Sequence, residues 1–300
     1  MDDVTNLCAF GHSAGRAADV VAPPSDQDKR IGVAATSGIL RNVIKKDLVP
    51  GVSAWRIWVL LGTNDIRQRY RRSTLGPFWI TASIAVMVIG LGIMYSAIFN
   101  LPIHEYLPYV ATGFVVWSLI SGMITEGCTT FLEAEGYAKQ LTLPLSVYVL
   151  KTLFRNLFTF AHNLIIVPVV WLIFLVPIGW ASLLFIPGLF LVALNGFWMM
   201  LLIGTLSTRF RDLPQIVSSV MQVIFFLSPI MFRSDQLPTA GRIAMQLNPF
   251  AALLALARDP LIGQVPTAFD YELVIGLLLV GWAIALTIYG RYRTRITYWL

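Results

Sequence analysis

The sequence predicts an all-α integral membrane protein with six transmembrane helices. Three observations lead to this class: hydrophobic residues fill 57% of the 300 positions, charged residues fill only 13%, and the mean hydropathy is +0.72. A soluble domain is nearer half apolar and a quarter charged, so this chain has too little polar surface to face water on all sides. Its length suffices for six spans of roughly 20 residues each with their connections.

The N-terminal segment differs from the rest. Residues 1–50 are of mixed polarity and include Pro23-Pro24 and a charged run from Asp26 to Arg30. They contain no basic stretch followed by an apolar core, which is the pattern of a cleavable signal peptide. We expect this segment to be a cytoplasmic tail, mostly disordered.

Residues 51–76 predict an amphipathic helix at the membrane interface. Apolar and basic residues separate onto two sides at helical spacing, and the segment leads directly into an apolar span. A cytosolic helix packed on its own protein is the alternative. Gly76-Pro77 marks the junction, because proline suits the first turn of a new helix. The apolar side holds Trp55, Trp58, Val59, Ile66 and Tyr70, and the other side holds Arg56, Asn64, Arg67 and Arg71.

Residues 77–295 form the predicted transmembrane domain. We expect a cytoplasmic loop at 126–146 and a C-terminal tail at 291–300. Residues 233–266 are too polar and too rich in proline for an ordinary span, so they predict short re-entrant helices on the periplasmic side. The six predicted spans cover residues 78–99, 107–125, 147–176, 181–207, 214–232 and 271–290.

The placement of positive charge predicts the orientation. Of the 22 lysines and arginines, only Arg233, Arg242 and Arg258 fall outside the tails and loops assigned to one side. Basic residues are retained on the cytoplasmic side of a membrane, so both termini are predicted to be cytoplasmic in a multi-pass membrane protein. Because these charges lie beside apolar spans, we expect them to meet lipid headgroups and not nucleic acid.

The chain offers few residues for catalysis. Its two cysteines and three histidines are scattered without metal-ligand spacing, which predicts no metal site and no catalytic residues. There is no Gly-x-x-x-x-Gly-Lys-Ser/Thr, so we expect no ATPase site and no cofactor bound by this chain.

Two basic residues stand at the start of the third apolar segment. Lys151 and Arg155 are four residues apart and share one helical face, with His162 two turns further on. Ionisable groups within a span usually face the bundle interior, although snorkelling to the interface explains Lys151 and Arg155 at least as well. His162 beside Asn163 is better explained as an interhelical hydrogen-bonding group than as a proton relay.

The densest chemical feature precedes the first span. Four arginines and a tyrosine stand together there, and guanidinium groups match phosphate oxygens in bidentate fashion. A lipid diphosphate site and ordinary positive-inside anchoring are both compatible with this cluster. Its residues are Arg67, Arg69, Tyr70, Arg71 and Arg72.

At this point the sequence resembles the permease subunits of ABC exporters for O-antigen and teichoic-acid polysaccharides (Wzm/TagG-like). The resemblance covers about residues 54–295. Its main motif lies between the interfacial helix and the first span and is similar to the family signature R-Y-x-x-S-x-L-G-x-x-W. The motif is Arg69-Tyr70-Arg71-Arg72-Ser73-Thr74-Leu75-Gly76-Pro77-Phe78-Trp79, supported by Arg209-Phe210-Arg211-Asp212, Ser228-Pro229-Ile230 and Leu247-Asn248-Pro249-Phe250.

The resemblance implies a type-2 ABC exporter fold, a location in the bacterial inner membrane, and a function. Two copies of the chain would join two ATPase subunits, which bind ATP and magnesium, to export a polysaccharide linked to undecaprenyl diphosphate. The amphipathic helix would be a gate helix whose arginine cluster meets the diphosphate. Aromatic residues would line the channel, although packing against lipid explains them as well: Phe78, Trp79, Tyr95, Phe99, Phe225 and Phe226.

The same resemblance implies a contact with the ATPase at residues 129–141. An apolar anchor with a charged rim is typical of protein interfaces. A solvated loop is the alternative. The residues expected at this contact are Phe131, Leu132, Glu133, Glu135 and Leu141.

Other functions remain open from the sequence. An exporter of capsule, teichoic acid, small lipids or drugs would have the same fold. An acyl- or glycosyltransferase would need clustered acidic or histidine residues at the interface, and the scatter of His104, Glu126, His162 and Asp270 provides none.

Overall fold

A computed structural model describes residues 38, 41–71, 76, 78–140, 142–176, 179–233 and 238–300. Over these residues the secondary structure is helical and contains no strand, so the predicted all-α class is confirmed. Five helices are long and apolar enough to cross a membrane, and a bent helix pair raises the number to six if it counts as one span.

The segment before the amphipathic helix is folded where it is described, which corrects the expectation of a disordered tail up to residue 50. A π-helical turn, Ile44–Leu48, leads into the short helix α1, Val49–Ser53. Asp47 is fully buried: its carboxylate accepts hydrogen bonds from the backbone N–H groups of Leu145 and Ser146 and pairs with Arg293 at 2.9 Å. A carboxylate is stabilised at a helix start and beside a cation, and this site provides both.

The predicted loop at 126–146 is wrong over its first half. Helix α2 covers Trp55–Tyr70 and α3 covers Phe78–Phe99, whereas α4 extends over Ile103–Glu133 and so includes Glu126 and Glu133. The charged side chains do not end the helix, because they find basic partners on a neighbouring helix. A short helix, α5 over Glu135–Gln140, follows.

The predicted third span, 147–176, matches one apolar segment long enough to cross, Ser146–Phe174, which a break at Leu164 and Ile165 divides into two helices. Helix α6 covers Ser146–Asn163 and α7 covers Ile166–Phe174, which ends at Leu175 in a left-handed conformation with φ 51°. A 3₁₀ turn leads into α8, Phe185–Arg209.

The fifth apolar helix is shorter than predicted. Helix α9 covers Leu213–Leu227, whose 15 residues reach about 22 Å, against roughly 30 Å of hydrocarbon. Residues 228–232, predicted as the end of this span, form turns. Hydroxyl groups on α4 hold these turns: Tyr106 donates to the carbonyl of Met231, and Tyr109 donates to that of Pro229 at 2.8 Å.

A bent helix pair occupies much of the predicted re-entrant segment. Helix α10, Thr239–Gln246, meets α11, Pro249–Arg258, and its 3₁₀ extension at an angle of 80°. Asn248 forms the corner, because its side chain caps α11 at the N–H of Phe250 and also donates to the carbonyl of Leu227 at the end of α9.

The last helix is longer than predicted. Helix α12 covers Ala268–Trp299, so most of the expected C-terminal tail is helical. It begins at a capping box in which Thr267 and Asp270 satisfy each other's backbone N–H.

Helix α4 lies at the centre of the bundle and packs against α3, α6, α7, α8 and α9. Its contact with α8 is close because glycines face each other: a Cβ added at Gly204 would lie 2.9 Å from the carbonyl oxygen of Gly127. Small residues let helix backbones approach in this way in membranes. By contrast, α3 buries only Thr81, Val88, Gly92 and Ser96. Its remaining apolar surface is left for lipid or a further subunit.

Candidate functional site

Seven polar side chains from three helices meet where the amphipathic helix α2 lies against the bundle. We call this cluster the charged junction. It balances three acidic groups against three basic groups and adds one amide. Its members are Asp65 and Arg69 on α2, Glu126 and Glu133 on α4, and Lys151, Arg155 and Asn156 on α6.

Arg155 is the centre of the charged junction. Its side chain is 5% exposed and contacts three carboxylates: Glu126 at 3.0 Å, Glu133 at 3.1 Å and Asp65 at 3.3 Å. Burying a guanidinium costs several kcal/mol unless it is paired and hydrogen-bonded. Here the three carboxylates compensate at Nε and Nη1, whereas Nη2 is buried without a hydrogen-bond partner among the described residues. Arg155 therefore fastens α6 to α2 and α4 together.

Lys151 provides a second link between α2 and α6. Its side chain is 4% exposed, and its ammonium nitrogen lies 2.8 Å from a carboxylate oxygen of Asp65. Close packing surrounds this pair, since a Cβ at Gly62 would lie 2.7 Å from the Phe154 ring, which also meets Trp58. The snorkelling interpretation of Lys151 and Arg155 is thus wrong, because both charges point into the protein.

The amphipathic helix has two kinds of neighbour. Gly62 and Ile66 are buried against the bundle, whereas Trp55 and Leu60 are 55% and 61% exposed. Part of α2 therefore packs on its own protein, while the apolar side chains of Trp55 and Leu60 stay uncovered. The position of this helix at the membrane interface stays a prediction.

The predicted arginine cluster divides into two groups. Arg69 donates to Glu126 at 3.1 Å and so belongs to the charged junction. Arg67 and Arg71 are exposed and form no ion pair within the described residues. Tyr70 is half-buried, and this burial raises the pKa of its hydroxyl. Arg72 lies outside the described residues.

The predicted channel aromatics lie in three places. Phe78 packs edge-on against His162, and Trp79 beside it is 62% exposed. Tyr95 stacks on Phe99 near the other end of α3, with the two ring centroids 5.6 Å apart. On α9, Phe226 is exposed and Phe225 packs into a larger aromatic group. That group adds Phe114, Trp117 and Phe250.

The segment expected to contact an ATPase is only partly accessible. Phe131 is fully buried, and its ring lies 3.3 Å from the position of a Cβ at Gly204. It is therefore a core residue and not an anchor for another subunit. Leu132 is half-buried and Glu133 belongs to the charged junction, whereas Glu135 is exposed and pairs with Lys139 at 2.6 Å. Leu141 lies outside the described residues.

Asn163, and not His162, forms the hydrogen bonds between helices that were expected at this position. Within the described residues, the polar contact of the His162 ring is with its own helix, where Nδ1 lies 3.0 Å from the carbonyl oxygen of Phe158, and its contact with α3 is the apolar one with Phe78. Asn163 instead joins three helices, because it accepts from Thr81 on α3 at 3.0 Å and donates to Ser118 on α4 at 3.3 Å.

A second buried charge lies toward the other end of α4. Arg258 on α11 is 6% exposed, pairs with Asp259 at 2.7 Å, and donates to the Tyr109 hydroxyl at 2.9 Å. Its guanidinium carbon also lies 4.4 Å from the Tyr109 ring centroid. Apart from charged residues next to the apolar α11, nothing in the sequence indicated this cluster. Within the described ranges, no group of His, Cys, Asp and Glu residues could hold a metal ion.

Comparison with known proteins adds two findings. The family model for ABC-2 type transporters matches residues 56–261, which contain the charged junction and the Tyr109–Arg258 cluster. Three curated proteins are similar over much of their length, and each is described as "O-antigen export system permease protein RfbA". Two from Klebsiella pneumoniae are 26% and 24% identical over 77% and 79% of this chain, covering 88% and 92% of their own lengths. One from Myxococcus xanthus is 22% identical over 65% of this chain and 76% of its own length.

Proposed function

We propose that this chain, which belongs to the ABC-2 type transporter family, is the membrane subunit of an ATP-driven polysaccharide exporter. The observation that carries the proposal is the charged junction, because it ties a basic amphipathic helix to the core helix α4 through buried ion pairs. The description of the similar bacterial proteins as O-antigen export permeases supports polysaccharide as the cargo.

The proposed cargo is a polysaccharide on undecaprenyl diphosphate, moved from cytoplasm to periplasm. Arg67 and Arg71 are exposed and present guanidinium groups suited to phosphate oxygens. Arg69 lies between them in sequence and contacts Glu126, so a headgroup bound by its neighbours would be sensed at the junction. Arg72 and the Tyr70 hydroxyl complete the proposed binding group.

The proposed assembly contains two copies of this chain and two ATPase subunits, which carry ATP and magnesium. The uncovered apolar sides of α3 and α9 suit contacts with a second copy. The short helix α5 suits a contact with an ATPase, because it is exposed and carries the Glu135–Lys139 pair. Both termini and α5 would be cytoplasmic in the inner membrane, in keeping with the distribution of basic residues.

Deletion of the gene in its native strain tests the cargo. Surface polysaccharide, measured by silver-stained gels or antibody, should disappear and return on complementation. Unchanged surface polysaccharide would exclude the proposed function. The purified chain by itself should release no phosphate from ATP.

The headgroup contact is tested with Arg67→Gln combined with Arg71→Gln. We expect export to fall, because two bidentate donors to the diphosphate are lost while the charged junction stays intact. The matched variant replaces both residues with Lys, which keeps the charge and removes the fork geometry. Full export by the Lys variant would show that point charge is enough and would refute bidentate recognition.

The ATPase contact is tested by comparing α5 with Phe131. Glu135→Lys should weaken co-purification of the ATPase and leave the permease folded, because Glu135 is exposed. Phe131→Ala should instead lower the stability of the permease by about 3–5 kcal/mol, since it removes a buried ring. Thermal unfolding and pull-down of each variant separate these effects. A Glu135→Lys chain that retains the ATPase fully would move the contact away from α5.

A further inference from the structure

A cavity of about 450 Å³, lined by both apolar and charged side chains, lies between the bent helix pair and the start of α12. Its walls come from α4, α10, α11 and the turn before α12, so several parts of the bundle shape it. This volume falls within the range of pockets that hold small organic molecules.

The cavity and the charged junction lie at opposite ends of the bundle. Tyr109 lines the cavity near the start of α4, and Glu126 and Glu133 of the junction follow on the same helix. At 1.5 Å per residue, Tyr109 is separated from Glu126 by about 25 Å and from Glu133 by about 36 Å along the axis. This separation approaches the thickness of the hydrocarbon core, so the cavity opens near the far face.

The charges lining the cavity balance. Arg242 and Arg258 contribute two positive charges, and Asp259 and Asp270 contribute two negative charges. Arg258 is already committed to Asp259, Tyr109 and the carbonyl of Pro229. A phosphate would need an excess of positive charge and a metal ion would need an excess of carboxylates. The lining therefore favours a neutral, polar ligand.

The remaining hydrogen-bonding groups suit hydroxyls. Only Oδ1 of Asp259 accepts from Arg258, and only Oδ2 of Asp270 accepts from Thr267, which leaves one oxygen of each carboxylate without a partner within the described residues. Arg242 and Gln246 line the cavity and form no ion pair or side-chain hydrogen bond in that part of the chain. A sugar hydroxyl both donates and accepts, so it can use donors and acceptors placed together.

An aromatic wall completes the lining. Phe269, which is 43% exposed, contributes a flat apolar surface beside the carboxylate of Asp270. The C–H face of a sugar ring can pack on such a surface while its hydroxyls reach the polar groups. We propose that this cavity binds a neutral sugar residue of the polysaccharide as the chain reaches the far side of the membrane, an inference that rests on the proposed function.

The first experiment fills the cavity. Gln246→Trp places an indole in its mouth, and Leu247→Trp is the matched control, because Leu247 is also exposed and does not line the cavity. Both variants should elute as folded protein in size-exclusion chromatography. Surface polysaccharide should fall in the Gln246→Trp strain and stay at the wild-type level in the Leu247→Trp strain. Equal export by the two variants would overturn the sugar site.

The second experiment measures binding directly. The probe is the strain's own polysaccharide, released from its lipid by mild acid and titrated into the permease–ATPase complex in nanodiscs. Arg242→Ala should weaken binding about tenfold, as expected for one hydrogen bond to a charged group, and Leu247→Ala should not. Equal binding by Arg242→Ala and wild type overturns the proposal, as does displacement of the probe by glycerol phosphate, which would identify a lipid headgroup site.

The two proposals fail in different ways. If gene deletion leaves surface polysaccharide intact, the proposed function is wrong. If deletion abolishes it while Gln246→Trp exports normally, the function stands and only the sugar site is refuted.

Discussion

Replacing Arg155 with glutamine should destabilise the protein by about 2–3 kcal/mol. Removing one partner of a fully buried ion pair costs about 3–5 kcal/mol, because the other charge is left without compensation. Here the side chains of Asp65, Glu126 and Glu133 retain 23%, 26% and 41% exposure, so water restores part of the loss. Lys151 also continues to neutralise Asp65. These partial compensations lower the expected value below the fully buried range.

A buried thiol provides the assay. Cys128 is fully buried, so a thiol-reactive dye should label it only when the bundle unfolds. In a Cys8→Ser background, the labelling temperature of the purified chain in detergent then reports stability. Arg67→Gln is the matched control, since Arg67 is an exposed arginine on α2 without an ion-pair partner within the described ranges. Equal labelling temperatures for Arg155→Gln and Arg67→Gln would refute the role given to the charged junction.

A double-mutant cycle separates the ion pair from other effects of the substitution. Arg155→Gln and Glu133→Gln remove the two ends of a 3.1 Å contact. If the contact stabilises the fold, the double variant should lose less stability than the sum of the single variants, by about 1 kcal/mol. Strict additivity would mean that Arg155 acts through the remaining carboxylates alone.

Two further predictions use the same assay. Asp47→Asn should cost about 1–2 kcal/mol, because it weakens both the cap on α6 and the ion pair with Arg293; the exposed Lys45→Gln should change little, and equal effects would refute the role of Asp47. Gly204→Ala should destabilise by about 1–3 kcal/mol, since its Cβ would meet a backbone carbonyl. Gly90→Ala, where nothing lies within 4 Å, should be neutral or slightly stabilising, and a loss equal to that of Gly204→Ala would contradict the close-packing argument.

Composition and periodicity predicted the membrane class, and apolar runs predicted where the long helices lie. The run at 78–99 matches α3 at both ends, since it contains no charged residue that could be mistaken for a loop. The helix ends elsewhere were harder to predict. Glu126 and Glu133 indicate a solvated loop when their partner on α6 is unknown, so the continuation of α4 to Glu133 depends on tertiary contacts.

The charged junction could be predicted only in part. Lys151 and Arg155 were recognisable as costly charges in an apolar segment. Whether their side chains are buried or reach the interface depended on acidic partners elsewhere in the chain. Asp65 lies 90 residues before Arg155, and Glu126 lies 29 residues before it. Sequence spacing carries no information about such pairs, because they form only after the helices have packed. For the same reason, the contact of Asp47 with Leu145 and Ser146 could not be predicted from the sequence.

The length of α4 has a mechanical consequence. Its 31 residues form a rod of about 46 Å, with Tyr109 near one end and Glu133 at the other. A tilt of about 5° around the midpoint would shift each end by about 2 Å, which is enough to lengthen a 3 Å hydrogen bond beyond its range. Rigid tilting of this helix would therefore strain the contacts of Arg155 and those of Arg258 at once. The two polar clusters would therefore respond together to a tilt of this one helix.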